Sequence, residues 1–254
     1  MTLEHIVEKR DSLIRASQYQ HSPFDAMFVG AAAAHGTFIH VERPIERLID
    51  STTPSLPLDW CLSPEALVAP QGVLSYDFSP LRVLNMHMFS IAWAIRDMRL
   101  WVTGVPELPV PSELPGLAVD WPMLTRLDGA IQDVPESEQL LRVFVATMLF
   151  LQQRILVLET PQANRAERRR LFTKRVDAGG IHVITLRKMT HHEHGAGEKS
   201  DIAWACRWLV SGHWRRQWHP NTQGHIPTWI LPHVKGPAEK PFKAPAGVIF
   251  RAAR

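Results

Sequence analysis

Twenty prolines divide this chain of 254 residues into separate stretches of regular structure. A proline inside a helix or a central strand removes a backbone hydrogen bond, so clusters of prolines prevent long regular elements. Four prolines fall between residues 51 and 70, and five fall between residues 106 and 122. The first cluster predicts an irregular stretch, and the second predicts a semi-rigid, extended connection between structured regions.

The predicted fold class is α+β, arranged in three regions. Residues 1–104 form an acidic N-terminal α+β region with helices and a small mixed sheet. Residues 105–122 form the Pro-rich connection. Residues 123–254 contain a long core helix followed by a basic, antiparallel, twisted sheet. Because 45% of the residues are apolar, the chain is able to bury a sizeable core.

Apolar periodicity gives the elements of the N-terminal region. Spacing close to that of a helix predicts an amphipathic helix over residues 3–17 and a second, short helix over residues 24–34. Runs over residues 72–78, 84–95 and 98–102 predict strands, although the second run is equally consistent with a buried helix.

A long helix and a basic segment open the C-terminal region. Asp133 is suited to cap a helix, and the apolar residues that follow predict a core helix that ends before Pro161. Six Lys and Arg residues over positions 162–175 predict a basic helix, for which a solvated surface face is the alternative interpretation. Strands are predicted at residues 181–188 and 202–215, and shorter ones at residues 227–231 and 247–251.

Charge is distributed unevenly along the chain. Residues 1–160 hold 11 Lys and Arg against 19 Asp and Glu, a net charge of −8, while residues 161–254 hold 17 against 6, a net charge of +11. The second stretch also contains eight of the 13 histidines and five of the nine tryptophans. This asymmetry predicts a basic face directed at a polyanion. Mutual neutralisation of the two regions across an internal interface is the alternative.

Alternation over residues 203–218 predicts a strand with one aromatic face and one basic face. The basic face gathers Arg207, His213 and Arg215, which are the candidate catalytic residues. A metal-independent ribonuclease needs a general base, a general acid and a cation that holds the phosphate, and these residue types supply all three. Phosphate binding without catalysis and an ordinary amphipathic strand are the competing interpretations.

Interleaved Trp and Arg residues are able to stack bases and hold phosphates of single-stranded nucleic acid. Trp204 and Trp208 are expected in a core, whereas Trp214 and Trp218 are candidates for stacking. The candidate nucleic-acid-binding residues are Arg165, Arg168, Arg169, Arg170, Trp214, Arg216, Trp218, His225 and Lys235.

Several protein classes are not supported by the sequence. The apolar runs are interrupted by charge, the first ten residues do not form a secretory signal, and two cysteines do not make a disulfide framework, so a cytoplasmic protein without membrane partners is expected. The motifs of phosphate loops, dinucleotide folds, serine esterases and zinc helices are missing. The histidines at positions 191, 192 and 194 lack a second ligand pair, so neither a metal nor a cofactor is expected.

The segment Arg207–Pro237 (RWLVSGHWRRQWHPNTQGHIPTWILPHVKGP) resembles the C-terminal segment of uncharacterised proteins of actinobacteria and their phages. Those proteins carry Gly-His-Trp-Arg, Trp-Ile-x-Pro and Lys-Gly-Pro in the same order. The resemblance implies that these motifs belong to one structural unit and that the chain has a phage or mobile-element setting. The family has no established activity, so the resemblance transfers no catalytic residue.

The expected function is nucleic-acid binding through the basic C-terminal region, with RNA or DNA as the partner. Metal-independent, toxin-like endoribonuclease activity is its possible enzymatic extension. The alternative is a non-enzymatic protein–protein interaction factor, such as an antitoxin, a phage host-takeover protein or a regulator. The acidic and basic regions would then serve self-association or partner docking.

Overall fold

The computed structural model describes residues 2–17, 24–62, 66–77, 81–83, 86–106, 116–120, 126–133, 137–153, 156–174, 179–186, 206–220 and 223–242. The chain forms two compact units, Met1–Lys188 and Met189–Arg254, which we call the N-terminal and C-terminal units. The N-terminal unit combines helices with a mixed sheet, and the C-terminal unit contains small antiparallel sheets. The predicted α+β class is confirmed.

The elements of the N-terminal unit alternate along the chain. Its helices are α1 (Leu3–Ser17), α2 (Phe24–His35), α3 (Arg43–Thr52), α4 (Leu127–Asp133), α5 (Glu138–Leu151) and α6 (Arg165–Lys174), with a 3₁₀ turn at Thr53–Ser55. Its strands are β1 (Thr37–Val41), β2 (Gln71–Tyr76), β3 (Leu81–Val83), β4 (Met86–Met88), β5 (Ser90–Arg96), β6 (Arg99–Val105), β7 (Gly116–Asp120), β8 (Leu156–Glu159) and β9 (Ile181–Leu186).

A seven-stranded sheet with the order β7-β6-β5-β2-β1-β9-β8 organises this unit. Strand β1 pairs in parallel with both β2 and β9, and the other neighbours pair antiparallel. Strands from both sides of the predicted connection at residues 105–122 therefore belong to one sheet. The boundary between compact units falls instead after residue 188. Strand β9 belongs to the main sheet, where we predicted a C-terminal one, because its partner β1 lies far away in sequence.

The sheet has two buried faces. On one face the register aligns Phe38, Val73 and Ala92 across β1, β2 and β5, and these residues pack with the apolar residues of α1 and α2. On the other face Trp93 packs against Phe144 of α5, with ring centroids 5.9 Å apart. Because both faces are covered, β1 and β2 are almost continuously buried, as expected for central strands of a layered fold.

Among the described residues of the unit, Trp93 has the largest fully buried side chain. Its indole N–H donates to the carbonyl of Ala69 over 3.0 Å. Gly72 lies directly beneath the ring, since a Cβ at this position would come within 2.6 Å of it. The ring thus links strand β5, the irregular segment before β2 and helix α5.

The predicted long core helix is only partly correct. Helix α5 is buried along most of its length, but it ends at Leu151, and the residues from Leu156 to Glu159 form strand β8. Asp133 is the last residue of α4 and does not cap α5, whose N-cap is Ser137. An apolar run of this length does not distinguish a helix from a helix followed by a buried strand.

The C-terminal unit contains two small ladders among its described residues. Its strands are β10 (Trp208–Val210), β11 (His213–His219), β12 (Gly224–Ile230) and β13 (His233–Lys235). Strand β10 pairs with β13, and β11 pairs with β12, both antiparallel. The predicted continuous strand over residues 202–215 is wrong, because the chain leaves one ladder after residue 210 and enters another at residue 213. Gly212 is required at this break, since a Cβ there would lie 2.5 Å from the ring of Trp229.

Trp208, which we expected in a core, is only half-buried. Trp204 and the strand predicted at residues 247–251 lie outside the described residues.

Truncation of Trp93 and of Trp208 should distinguish a core residue from a partly exposed one by the loss of stability. Trp93→Ala removes a fully buried ring and its hydrogen bond, so we expect it to lower the free energy of unfolding by about 3–5 kcal/mol. Trp208→Ala removes a half-buried ring and should cost clearly less. Urea unfolding followed by far-ultraviolet circular dichroism measures both, and equal losses would contradict the assignment of Trp93 as a core residue.

Candidate functional site

The hairpin of β11 and β12 carries a row of aromatic and basic side chains. Directly opposite residues of an antiparallel pair project to the same face. The register pairs Trp214 with Trp229, Arg216 with Pro227 and Trp218 with His225, so these six residues share one face. We call it the aromatic face. Sequence interleaving of Trp and Arg had predicted three of them, Trp214, Arg216 and Trp218, and loop position had predicted His225.

One end of the aromatic face is packed. The rings of Trp214 and Trp229 meet edge to face with centroids 5.5 Å apart, and Trp229 is only 8% exposed. Pro227 is also buried. Trp214, a predicted stacking residue, is half-buried in this contact and acts mainly in holding the hairpin together.

The other end of the aromatic face is open to solvent. Trp218 is 48% exposed, and its ring lies edge-on to His225 with centroids 5.1 Å apart. Arg216, one step along the same face, is also exposed. An exposed indole beside a guanidinium offers a flat apolar surface and a cation within one short strand. These are the two groups that a nucleotide needs for stacking and for phosphate contact.

The three candidate catalytic residues are not brought together. His213 and Arg215 share the opposite face of β11 and are both exposed. Arg207 lies outside this hairpin, where its guanidinium stacks on the ring of Phe242 at 4.7 Å and its backbone bridges the same residue. The predicted grouping fails because it required one extended strand from residue 207 to residue 215.

His213 itself has a defined orientation. Its Nδ1 lies 3.0 Å from the carbonyl oxygen of Ser211, which is the geometry of a ring N–H donated to that carbonyl. This tautomer leaves Nε2 as the proton-accepting atom. Lys235, another predicted residue, is exposed on β13 opposite Trp208 and therefore belongs to the second ladder.

The four predicted arginines of helix α6 belong to the N-terminal unit. All four are exposed, and the Nε of Arg170 also forms an ion pair with Glu4 of α1 at 2.8 Å. The helix begins with a reciprocal cap, in which the side chains of Asn164 and Glu167 each accept the other residue's backbone N–H. Phe172 is 86% exposed. It lies four residues after Arg168 and three after Arg169, which places it on the same side of the helix as both.

The basic charge of the C-terminal stretch is therefore divided between the units. Residues 161–188 hold eight Lys and Arg against two Asp and Glu, a net charge of +6. Residues 189–254 hold nine against four, a net charge of +5. Each basic group belongs to its own unit.

A row of buried polar residues crosses the sheet of the N-terminal unit. His40, Ser75 and Ser90 are aligned on β1, β2 and β5, on the face that α1 and α2 cover. All three are buried, and His40 is only 1% exposed. Neither His40 ring nitrogen nor the Ser75 hydroxyl has a hydrogen-bond partner among the described residues. We call these residues the polar row.

Helix α1 and the end of β2 place charged groups beside the polar row. The ammonium group of Lys9 donates to the backbone carbonyls of Tyr76, at 2.6 Å, and Phe89, at 3.4 Å. The carboxylate of Asp77 lies 3.2 Å from Nε2 of His40, without the angle of a hydrogen bond. A cavity of about 480 Å³ opens here, lined by Lys9, Asp77, Ser90 and their neighbours on α1 and β6.

Burial controls the protonation of this cluster. It lowers the pKa of Lys9 from 10.5 to about 8, although the carboxylates of Asp77 and Glu46 act in the opposite direction. Burial likewise lowers the pKa of His40 from 6.5 to about 4, against the effect of Asp77, so this imidazole is neutral at pH 7. Burial also raises the pKa of Tyr76 well above its usual range.

Sequence reasoning missed the cluster entirely. Lys9 belongs to the polar pattern of an amphipathic helix, and β1, which carries His40, was not predicted. The available signal was a polar residue close to the carboxyl end of an apolar run. Asp77 directly follows β2, and His40 is the fourth of the five residues of β1.

Over the part of the chain that the structure describes, no group of three or more His, Cys, Asp and Glu side chains is arranged to hold a metal ion. Among those same residues, none of the helices combines the length and the apolarity that crossing a bilayer requires.

No family model, no curated protein and no solved structure matches this chain. Functional inference therefore depends on the chemistry of the chain itself. The resemblance of the segment 207–237 to actinobacterial and phage proteins stays a prediction.

The polar row predicts how stability depends on pH. The folded state keeps His40 neutral down to about pH 4, whereas the unfolded chain takes up a proton near pH 6.5. Stability is therefore lost as the pH falls from 6.5 to 4, by at most about 3 kcal/mol from this residue. His40→Gln should remove that part of the loss, measured as the difference in unfolding free energy between the two proteins at each pH.

His35→Gln is the matched control, because His35 is exposed. Asp77, Lys9 and His5 are the ionisable side chains that act on His40, and they are unchanged in both variants. Parallel pH profiles of wild type and His40→Gln would contradict a neutral His40.

Proposed function

We propose that the C-terminal unit binds single-stranded nucleic acid through the open end of its aromatic face. The observation that carries this proposal is the exposure of Trp218 beside Arg216 and His225 on a single hairpin face. A base stacks on the Trp218 ring, and Arg216 contacts the neighbouring phosphate. Single strands are favoured because their bases are already free to stack, while bases of a duplex are not.

Local charge supports the same proposal. Residues 206–242 contain five Lys and Arg and a single acidic residue, Glu239, together with four histidines. A nucleic-acid strand along the hairpin therefore meets little electrostatic repulsion.

Binding is favoured over cleavage by the positions of the arginines. A general acid and base act on a phosphate that a cation holds within reach. Arg207 stacks on Phe242 and lies outside the hairpin that carries His213. Of the two arginines predicted to act with His213, only Arg215 lies on the same strand.

A protein partner is the second candidate, and it has an observation of its own. Leu209 and Val234 are directly opposite on β10 and β13, and they are 59% and 51% exposed. An exposed cross-strand apolar pair of this kind suits contact with another protein surface better than contact with nucleic acid.

Variants of the aromatic face test the binding proposal. Trp218→Ala should weaken binding to a labelled single-stranded RNA or DNA by about 5- to 150-fold, since one stacked base contributes about 1–3 kcal/mol. Arg216→Ala should lower the slope of log affinity against log salt concentration by about 0.7, because it removes one phosphate contact. Fluorescence anisotropy in EDTA over a series of salt concentrations measures both quantities.

Leu209→Ala is the matched control, because it truncates another exposed residue of the same unit and should leave the affinity unchanged. Combined replacement of Arg165, Arg168 and Arg169 by Ala reports whether α6 contributes phosphate contacts of its own. An affinity that Leu209→Ala reduces while Trp218→Ala does not would move the nucleic-acid contact to the ladder of β10 and β13. Absence of RNA and DNA binding by wild type would favour the protein-partner candidate.

Cleavage is tested in the same samples. We expect labelled RNA to stay intact in EDTA, because the predicted catalytic set is not assembled. Denaturing gel electrophoresis after prolonged incubation provides the measurement. RNA cleavage by wild type that His213→Ala abolishes, with RNA affinity retained, would instead assign a ribonuclease in which His213 transfers the proton.

A further inference from the structure

The polar row has no structural role that explains its cost. Burying a polar group without a hydrogen bond is unfavourable, and His40 and Ser75 are buried in this way in a face that is otherwise apolar. Valine or alanine would pack between β1, β2 and β5 without this penalty. Next to His40, Oδ1 of Asp77 is also buried without a hydrogen-bond partner among the described residues, and Asp77 lines the cavity, so this oxygen indicates a ligand that supplies the missing hydrogen bond.

The position in the sheet agrees with a ligand site. Strands β1, β2 and β9 are parallel, so their carboxyl ends meet at one edge. Strand β5 begins and β6 ends at that edge, since Ser75 pairs with Ser90 and Ser90 with Val105. The 480 Å³ cavity opens there beneath α1, and the carboxyl edge is where sheets with parallel strands usually bind small molecules.

The charge of the lining selects the kind of ligand. Among the described residues, two carboxylates, Glu8 and Asp77, and one lysine ammonium, Lys9, face the cavity together with His5. This balance disfavours an anion and favours a neutral molecule. Hydroxyls of Ser12 and Ser90 offer hydrogen bonds, and Leu13 and Val105 offer a small apolar surface.

Lys9 is placed to react with such a molecule. As a neutral amine it has two N–H groups, and the carbonyls of Tyr76 and Phe89 accept both. The nitrogen lone pair is then the one position left for a ligand. At pH 7 about a tenth of Lys9 is neutral, compared with about 0.03% of an ordinary lysine.

We propose that the cavity binds a small hydroxylated aldehyde or ketone and that Lys9 captures its carbonyl carbon as an imine. The lone pair of Nζ forms a bond to the carbonyl carbon, and the carboxylate of Asp77 carries one of the two amine protons to the carbonyl oxygen, which gives a carbinolamine. The nitrogen lone pair then forms the C=N bond as the C–O bond breaks, and Asp77 carries the second amine proton to the departing oxygen. Amine and carbonyl thus yield imine and water, and Asp77 ends as the carboxylate that it was at the start.

Reductive trapping tests this proposal on the full chain. The protein is incubated with glyceraldehyde and sodium cyanoborohydride, whose hydride reduces an imine to a stable secondary amine, and modified lysines are identified by peptide mass spectrometry. We expect Lys9 to be modified at least about tenfold faster than the exposed Lys235 and Lys240 in the same sample. The rate should saturate with glyceraldehyde concentration, because binding precedes bond formation.

Two variants separate a binding site from a merely reactive amine. Ser90→Ala should raise the glyceraldehyde concentration at half-maximal rate, since it removes a cavity hydroxyl. Asp77→Asn should move the midpoint of the pH–rate profile of Lys9 below 8, because Asp77 raises the pKa of Lys9. Circular dichroism confirms that both variants are folded.

A second arm distinguishes the source of the carbonyl. An oligonucleotide with an abasic site carries the same hydroxylated aldehyde on a nucleic-acid strand, and trapping of Lys9 by this probe assigns nucleic acid as the source. Trapping by glyceraldehyde alone assigns a free small molecule. Modification of Lys9 by neither probe, or by glyceraldehyde at the rate of Lys235 without saturation, overturns the proposal and leaves the nucleic-acid binding of the hairpin unaffected.

Discussion

Strand β1 is the element on which the N-terminal unit depends. Five residues long, it pairs in parallel with β2 on one side and with β9 on the other. Parallel pairs cannot be joined by a tight turn, so each needs a connection across a face of the sheet. The connection to β2 contains α3, and the much longer path to β9 contains β3 to β8 together with α4, α5 and α6. Every other strand of the sheet is therefore positioned through the pairing of β1.

The position of α1 follows from the same strand. The helix covers the face that carries Phe38 and Val73, and its apolar residues account for that packing. Two consecutive cations fix it further. Lys9 donates to the carbonyls beside the end of β2, and Arg10 donates to the carbonyl of Gly179 just before β9. Charge-assisted hydrogen bonds to backbone carbonyls are stronger than neutral ones, so they hold α1 above the polar row and close the cavity beneath it.

The local sequence pattern correctly predicted the structural features that depend on residues close together in the sequence. The helices near residues 3–17 and 24–34, the paired strands β5 and β6, and the exposed Trp218 and Arg216 all follow from periods of 3.6 or 2 within a short window. The turn between β5 and β6 is one such local feature. Asp97 and Met98 are the two residues between the strands, and both adopt the positive φ of a tight two-residue hairpin turn.

Features that depend on distant partners were not predictable in this way. The polar row exists only because the register aligns three strands from separate parts of the sequence, and no local window contains it. The assignment of β9 to the main sheet has the same origin. The grouping of Arg207 with His213 failed because Gly212 fits the alternating pattern of a strand. In the structure the ring of Trp229 packs against Gly212, and the strand does not continue through it.

The distribution of charge limits how the hairpin is able to bind a polyanion. The whole chain has a net charge of only +3, and the net charge of +11 in its last 94 residues is divided between two compact units. At physiological salt, exposed charges act over about 8 Å, so only charges within that distance of Trp218 strengthen binding there. Under the proposed function, a base stacked on Trp218 contributes more to the affinity than the phosphate contact of Arg216. The hairpin should then discriminate between stacked and unstacked bases more strongly than it responds to total charge.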